Sequence, residues 1–222
     1  MIRKVKNYDE MSKIVALHLK RHIENPHITT LGLPTGSTPI GMYKELVKDT
    51  RINWDKVVTF NLDEYVGLDK YNPQSYRNYM YENFHKFVDI PIERINFPQR
   101  KEYDALIDYY GGLDCTVLGI GNNGHIAFNE PGSSFDSKTR KVKLDKRTIS
   151  DNSRFFDSEE QVPKEAWTMG LKTIMDSREI YLIAQGKSKW EIIREAFFGE
   201  ITESVPASIL QKHKNLTVLY CD

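Results

Sequence analysis

The chain has 222 residues, 40% of them hydrophobic, which is enough for a core of ordinary size held without disulfides or structural metals. Lysine plus arginine number 31 and aspartate plus glutamate number 31, so the net charge is zero and no global field draws in nucleic acid or anionic lipid. The two cysteines, Cys115 in an apolar run and Cys221 next to the end, make no disulfide framework, and no run of about 18 apolar residues spans a bilayer or opens the chain as a signal peptide. A cytoplasmic protein is predicted, one domain over residues 1–222, with no nucleic-acid or membrane partner. The sequon at Asn215 carries no meaning without secretion.

Met11, Ile14, Val15, Leu19 and Ile23 fall near helical spacing and predict an amphipathic helix over 8–24. Residues 28–33 read as a strand stopped by Pro34-Thr35-Gly36-Ser37-Thr38, and 39–47 as a helix with proline in its tolerant first turn. A strand over 57–62, a helix over 75–88 and a continuous apolar strand over 114–120 follow. Residues 163–175 predict a helix, 179–184 a strand, 188–198 a helix and 216–220 a last strand. Strands that are apolar throughout are covered on both faces. The alternation therefore predicts an α/β fold, a doubly wound, mainly parallel sheet with helices on both faces. Ligands of such sheets sit beyond the carboxyl ends of strands, which singles out the loops after Leu33, Leu62 and Ile120.

The first loop joins a strand to a helix start through hydroxyls, a glycine and backbone N–H groups, a composition that suits either a helix cap or a phosphate cradle. Gly36 and Gly41 have the glycine spacing of a nucleotide P-loop, but Met42 and Tyr43 stand where lysine and a hydroxyl are required. The second loop carries the adjacent carboxylates Asp63 and Glu64, a candidate general base or a solvated turn. In the third, Gly119, Gly121 and Gly124 satisfy a dinucleotide fingerprint that Pro131-Gly132 contradicts by breaking the helix it needs. The physical alternative is that glycines let backbone approach a ligand while His125 shuttles a proton and Glu130 orients it. No His-Glu-x-x-His or Cys-x-x-Cys spacing points to zinc.

Four motifs in order resemble the glucosamine-6-phosphate deaminases: Leu31-Gly32-Leu33-Pro34-Thr35-Gly36-Ser37-Thr38-Pro39, Phe60-Asn61-Leu62-Asp63-Glu64-Tyr65-Val66-Gly67-Leu68, Gly124-His125-Ile126-Ala127-Phe128-Asn129-Glu130-Pro131-Gly132 and Asn152-Ser153-Arg154-Phe155-Phe156. The sister 6-phosphogluconolactonases share the Gly-His loop but carry a Ser-Leu-Phe-Pro type sequence where this chain has Phe128-Asn129-Glu130-Pro131. The resemblance implies conversion of glucosamine 6-phosphate and water to fructose 6-phosphate and ammonia, with no cofactor and no metal. Moving the carbonyl from C1 to C2 requires two acid/base systems. The resemblance assigns the C2 base to Asp63, ring opening to His125 and its support to Glu130. It assigns the phosphate to Gly36, Ser37, Thr38, Arg154 and Lys189, and further substrate contacts to Thr35, Gly124 and Ala127.

Two departures matter. Asn123 stands where many longer members carry aspartate, and retained activity is expected because its amide still orients His125. Ser133 and Arg140 match the effector site of the allosteric hexameric members, but Val142 replaces their lysine and the chain ends at Asp222 without their helical tail. Activation by N-acetylglucosamine 6-phosphate is therefore expected to be weak or absent, and the assembly to be monomer or homo-oligomer. The alternatives are a lactonase or other sugar-phosphate enzyme on the same fold, or a non-catalytic sugar-phosphate-binding regulator.

Overall fold

The computed structural model describes residues 1–153 and 156–222. Seven strands form a wholly parallel sheet in the order β1-β10-β9-β6-β2-β3-β5. They are β1 (Ile2–Lys4), β2 (Thr29–Leu33), β3 (Val57–Asn61), β5 (Ile95–Asn96), β6 (Cys115–Leu118), β9 (Glu179–Gln185) and β10 (Leu216–Cys221). The central strands are buried on both faces because their residues feed two cores in alternation. Phe60, Leu118, Ile180, Leu182 and Val218 enter one core, while Leu31, Leu33, Val117, Tyr181, Ile183 and Leu219 enter the other.

Helices α1 (Tyr8–Ile23), α2 (Ile40–Lys48) and α3 (Tyr76–Asn83) cover the second of these faces. Helices α4 (Tyr103–Tyr109), α6 (Leu171–Met175) and α7 (Lys189–Phe198) cover the first. The expected layering is the one observed. Helix α1 starts at a reciprocal cap: the Asn7 side chain accepts the Glu10 N–H at 2.9 Å while the Glu10 carboxylate accepts the Lys6 N–H at 2.7 Å.

One expected element is corrected. Of residues 163–175, Glu165–Thr168 is a strand, β8, and only Leu171–Met175 is helical. Burial alternates along β8, with Ala166 and Thr168 inside and their neighbours half-exposed, because it pairs antiparallel with β4 (Asp63–Tyr65) and β7 (Arg140–Lys143) in a second, three-stranded sheet. Gly170 separates strand from helix; a Cβ there would stand 2.1 Å from the Ser137 carbonyl oxygen. The 75–88 helix also ends early, at Asn83, and continues as a single 3-10 turn over His85–Phe87. The second sheet packs Tyr65, Phe128, Leu144 and Ala166 into a third cluster, against which Ile149 of α5 (Lys146–Asn152) rests.

Strands β2 and β6 touch closely. A Cβ on Gly32 would lie 2.5 Å from Thr116 Oγ1, and that hydroxyl is held by a 2.7 Å hydrogen bond to Ser177 Oγ. Gly32→Ala is expected to destabilise the fold by about 1–3 kcal/mol through overpacking, read as a lower urea midpoint at unchanged slope.

Candidate active site

The crossovers from β2 and β6 run to opposite sides of the sheet, so the loops leaving their carboxyl ends diverge and bound a crevice. A cleft of about 480 Å³ opens there, walled by Thr35 to Pro39, Asp63, Gly119 to Asn122, His125, Ala127, Lys189 and, from α5, Thr148 and Asn152. All three loops singled out from the sequence meet in it.

The first loop is held by its carbonyls. Tyr43 Oη donates to Pro34 O at 2.5 Å, Tyr79 Oη to Gly36 O at 2.5 Å, and Tyr8 Oη lies 3.3 and 3.0 Å from Ser37 O and Thr38 O. Tyr8 Oη also accepts the Gly41 N–H at 2.7 Å, which ties the loop to the start of α2. Gly36 takes φ +95°, the left-handed turn that lets the loop fold back. While these carbonyls are engaged by tyrosine hydroxyls, the amides of Thr35, Gly36, Ser37 and Thr38, on the cleft wall, donate to no acceptor among the described residues. Consecutive free N–H groups lining a cleft form an anion cradle. Lys189, opening α7 on the same wall, donates to Ile120 O at 2.8 Å and Asn122 Oδ1 at 2.7 Å.

The adjacent carboxylates of the second loop point to different tasks. The chain leaves the main sheet at Leu62, whose N–H donates to Leu33 O and whose carbonyl accepts from Met169 N–H at 2.7 Å, and re-enters pairing as β4. Glu64 accepts the backbone N–H groups of Tyr65, Tyr76 and Arg77 at 2.9, 3.0 and 2.9 Å and so caps α3. Asp63 instead faces the cleft, only 8% exposed and with no hydrogen-bond partner among the described residues. Burial first, and the Glu64 charge second, push its carboxyl up to about 8.

The third loop builds a relay. Asn123 Nδ2 donates to Glu130 Oε2 at 2.8 Å, so its Oδ1 is the atom 2.7 Å from His125 Nδ1. A carboxylate only accepts, which forces that amide orientation. In neutral imidazole the proton therefore sits on Nδ1 and the lone pair on Nε2. Glu130 Oε2 also lies 3.4 Å from His125 Nδ1, and Thr148 Oγ1 donates to Glu130 Oε1. Burial works to raise the Glu130 carboxyl, but the His125 hydrogen bond and charge, with Thr148 and Asn123, outweigh it and hold the group down to about 2. A Cβ on Gly121 would stand 2.2 Å from the imidazole, so glycine there makes room for the ring. Ala127 adopts φ +49°, the one non-glycine among the described residues with positive φ, in a turn closed by Asn129 N–H to Ile126 O and by Asn129 Nδ2 to Met169 O at 2.8 Å.

Residues 4–219 match the glucosamine-6-phosphate isomerase/6-phosphogluconolactonase family. The chain belongs to that family. The glucosamine-6-phosphate deaminase of Clostridium acetobutylicum is 49% identical over 97% of this chain and 94% of its own length. That of Thermoanaerobacter pseudethanolicus is 45% identical over 96% and 89%. A solved monomeric glucosamine-6-phosphate deaminase superposes with a TM-score of 0.96 at 39% identity, covering 99% of this chain and 96% of that one. The 6-phosphogluconolactonase of Thermotoga maritima, with a TM-score of 0.80 at 18% identity over 100% and 98% of the two chains, shares the fold.

Within this family fold, Asp63, His125, Thr35, Gly36, Ser37, Thr38, Ala127 and Lys189 line the cleft, and Asn123 and Glu130 stand behind His125. Gly124 does not reach the cleft wall. It takes φ +81° and faces Val205 and Ile192 of the core, so its part is to turn the loop. Arg154 lies outside the described residues. Sequence reasoning missed Thr148 and the tyrosines Tyr8, Tyr43 and Tyr79, whose hydroxyls give no local signal of a partner far along the chain.

A raised Asp63 carboxyl has a stability consequence. The folded value of about 8 exceeds the ordinary unfolded one near 3.9, so the fold binds the proton more tightly and stability falls as pH rises between the two. Asp63→Asn is expected to melt at least about 2–4 °C above wild type at pH 9, corresponding to about 1 kcal/mol, with the gap closing near pH 4. Equal melting at pH 9 would assign the carboxyl an ordinary value.

Proposed function

We propose that the chain is a glucosamine-6-phosphate deaminase, one domain over residues 1–222 that converts glucosamine 6-phosphate and water to fructose 6-phosphate and ammonia. The observation that carries this reading is one cleft lined by two separate acid/base systems, Asp63 and the His125 relay, together with a row of free amides. The close similarity of the curated deaminases supports it.

The sugar phosphate seats on the amides and hydroxyls of residues 35–38, with Lys189 and Arg154 supplying positive charge. His125 Nε2 takes the proton of the anomeric hydroxyl and returns it to the ring oxygen, opening the sugar to its aldehyde. Glu130 stabilises the imidazolium that forms in between, acting through Asn123 and directly. Ionised Asp63 then removes the C2 proton as the substrate's own ammonium group gives a proton to O1, leaving an amino-enol across C1 and C2, and the protonated Asp63 delivers its proton to C1. The nitrogen-bearing C2 becomes an imine, which water hydrolyses to the ketone and ammonia. Ring opening needs a base of neutral pH, and C2 abstraction needs a stronger one; a carboxylate raised to about 8 supplies that strength.

Wild type is expected to release ammonia and fructose 6-phosphate in equal amounts with no metal added, and Asp63→Asn to be slower by about 10³-fold. The acid limb of kcat/KM should rise through about pH 8 as Asp63 ionises. Sugar phosphate bound tightly and left unconsumed would favour a regulator, and lactone hydrolysis without ammonia release a lactonase.

Effector activation is a separate matter. Arg140 Nη1 donates to Asn129 Oδ1 at 2.8 Å, and Val142 packs in the small-sheet cluster beside Leu144 and Ala166. With an apolar side chain there, N-acetylglucosamine 6-phosphate is expected to leave the substrate saturation curve unchanged, a leftward shift being the contrary result.

A further inference from the structure

The sheet has a second end. At the amino ends of β6 and β9, opposite the cleft, Cys115 and Glu179 are register partners, and the last turn of α1 lays His22 over them. One ring nitrogen of His22, the Cys115 sulfur and one Glu179 oxygen lie within 4.8 Å of one another, the one such His/Cys/acid cluster among the described residues. We propose that His22, Cys115 and Glu179 bind one divalent cation of the zinc class, with water as fourth ligand.

The donor set selects the ion. Thiolate and imidazole favour zinc and cobalt over magnesium and calcium, and three protein ligands with one open position make a familiar tetrahedral site. Zinc–sulfur and zinc–nitrogen bonds set tetrahedral ligand atoms roughly 3.3–3.6 Å apart. His22 Nε2 now bonds Glu179 Oε2 at 2.7 Å, so that pair parts by under about 1 Å, while the sulfur, within 4.8 Å of the others, closes by up to about 1.5 Å. Side-chain exposures of 27% for His22 and 30% for Glu179 leave an entry path and room for water, while Cys115 is buried behind them. Tyr181 Oη donates to Glu179 Oε1 at 2.9 Å, fixing the carboxylate from outside the ligand set.

Cys115 has no competing use. Cys221 pairs with Gln185 at the far end of β9, six residues along the ladder from Glu179, or about 20 Å, well beyond disulfide reach. Coordination requires the thiolate, so loading expels the Cys115 proton to solvent. The ion then joins α1, β6 and β9 into one crosslinked unit and stabilises the folded state by mass action. Nothing here rests on the deaminase reading, and the site lies at the end of the sheet opposite Asp63 and His125.

Titration of the metal-free protein with Co²⁺ tests the proposal. One equivalent is expected to bind, with near-ultraviolet thiolate-to-cobalt charge transfer and the strong visible bands of tetrahedral cobalt, both displaced by Zn²⁺. Cys115→Ser should abolish the charge-transfer band, and His22→Gln and Glu179→Gln should weaken binding at least about tenfold at unchanged far-ultraviolet circular dichroism. The proposal is overturned by absence of the band in wild type, by its survival in Cys115→Ser, or by undiminished affinity in His22→Gln. His22 is partly exposed, so that last variant decides the matter even if Cys115→Ser does not fold.

Discussion

The cleft depends on β2 lying between β3 and β6, parallel to both. Leu33 opposes Asn61 across one ladder, and Gly32 opposes Thr116 across the other. Parallel pairing brings the carboxyl ends of all three strands to one edge, so the loops after Leu33, Leu62 and Leu118 emerge together. Because the connections of β2 and β6 then leave in opposite directions, no helix covers the gap, and it stays open to solvent and ligand. The glycine at position 32 lets the two strands approach this closely. The row of free amides and the His125 hydrogen-bond chain inherit their mutual position from that backbone contact.

Three carboxylates occur within or beside this crevice, and their fates follow from their donors. Glu64 spends its lone pairs on the backbone N–H groups that start α3. Glu130 receives Asn123 and Thr148 and stands beside His125, so its charge is satisfied and its proton lost early. Asp63 receives none of these and is ringed by apolar bodies and phenols. The hydroxyls of Tyr43, Tyr65, Tyr76 and Tyr103 lie near enough to feel its charge. One carboxylate anchored low and one raised high is the pattern by which a site separates a supporting group from a base. The raised one is a stability liability that the cores on either face of the sheet offset.

Much of this was legible in the residues. The long apolar strands and the stripe of α1 revealed the main sheet and its layering, because burial on both faces leaves a continuous signal. The three loops were legible because glycine, hydroxyl and carboxylate clusters interrupt those runs. The second sheet was not. Strands β4, β7 and β8 are three or four residues each, shorter than a period can establish, and Val162, Ala166 and Met169 mimic helical spacing across β8. The tyrosine anchors were equally silent: Tyr79 Oη meets Gly36 O across 43 positions of chain, and no local pattern encodes such a bond. Nor does spacing reveal His22, Cys115 and Glu179, which only the α1 packing and the β6–β9 register bring together.

Asn123 shows why a departure from a family's charged pattern need not weaken its site. A carboxylate at that position would face Glu130 across the 2.8 Å that the amide now bridges, and two anions so close cannot both stay ionised at neutral pH. Asparagine avoids the conflict. Its NH2 satisfies Glu130 and its carbonyl takes the His125 Nδ1 proton, so one uncharged side chain sets both the tautomer and the ring orientation. Glu130 is then the one carboxylate beside the ring among the described residues, at 3.4 Å from Nδ1. With its other oxygen held by Thr148, that carboxylate is fixed in place behind the ring, and the Nδ1 side of His125 is committed to Asn123 and Glu130, which leaves Nε2 as the nitrogen that can exchange a proton with a ligand.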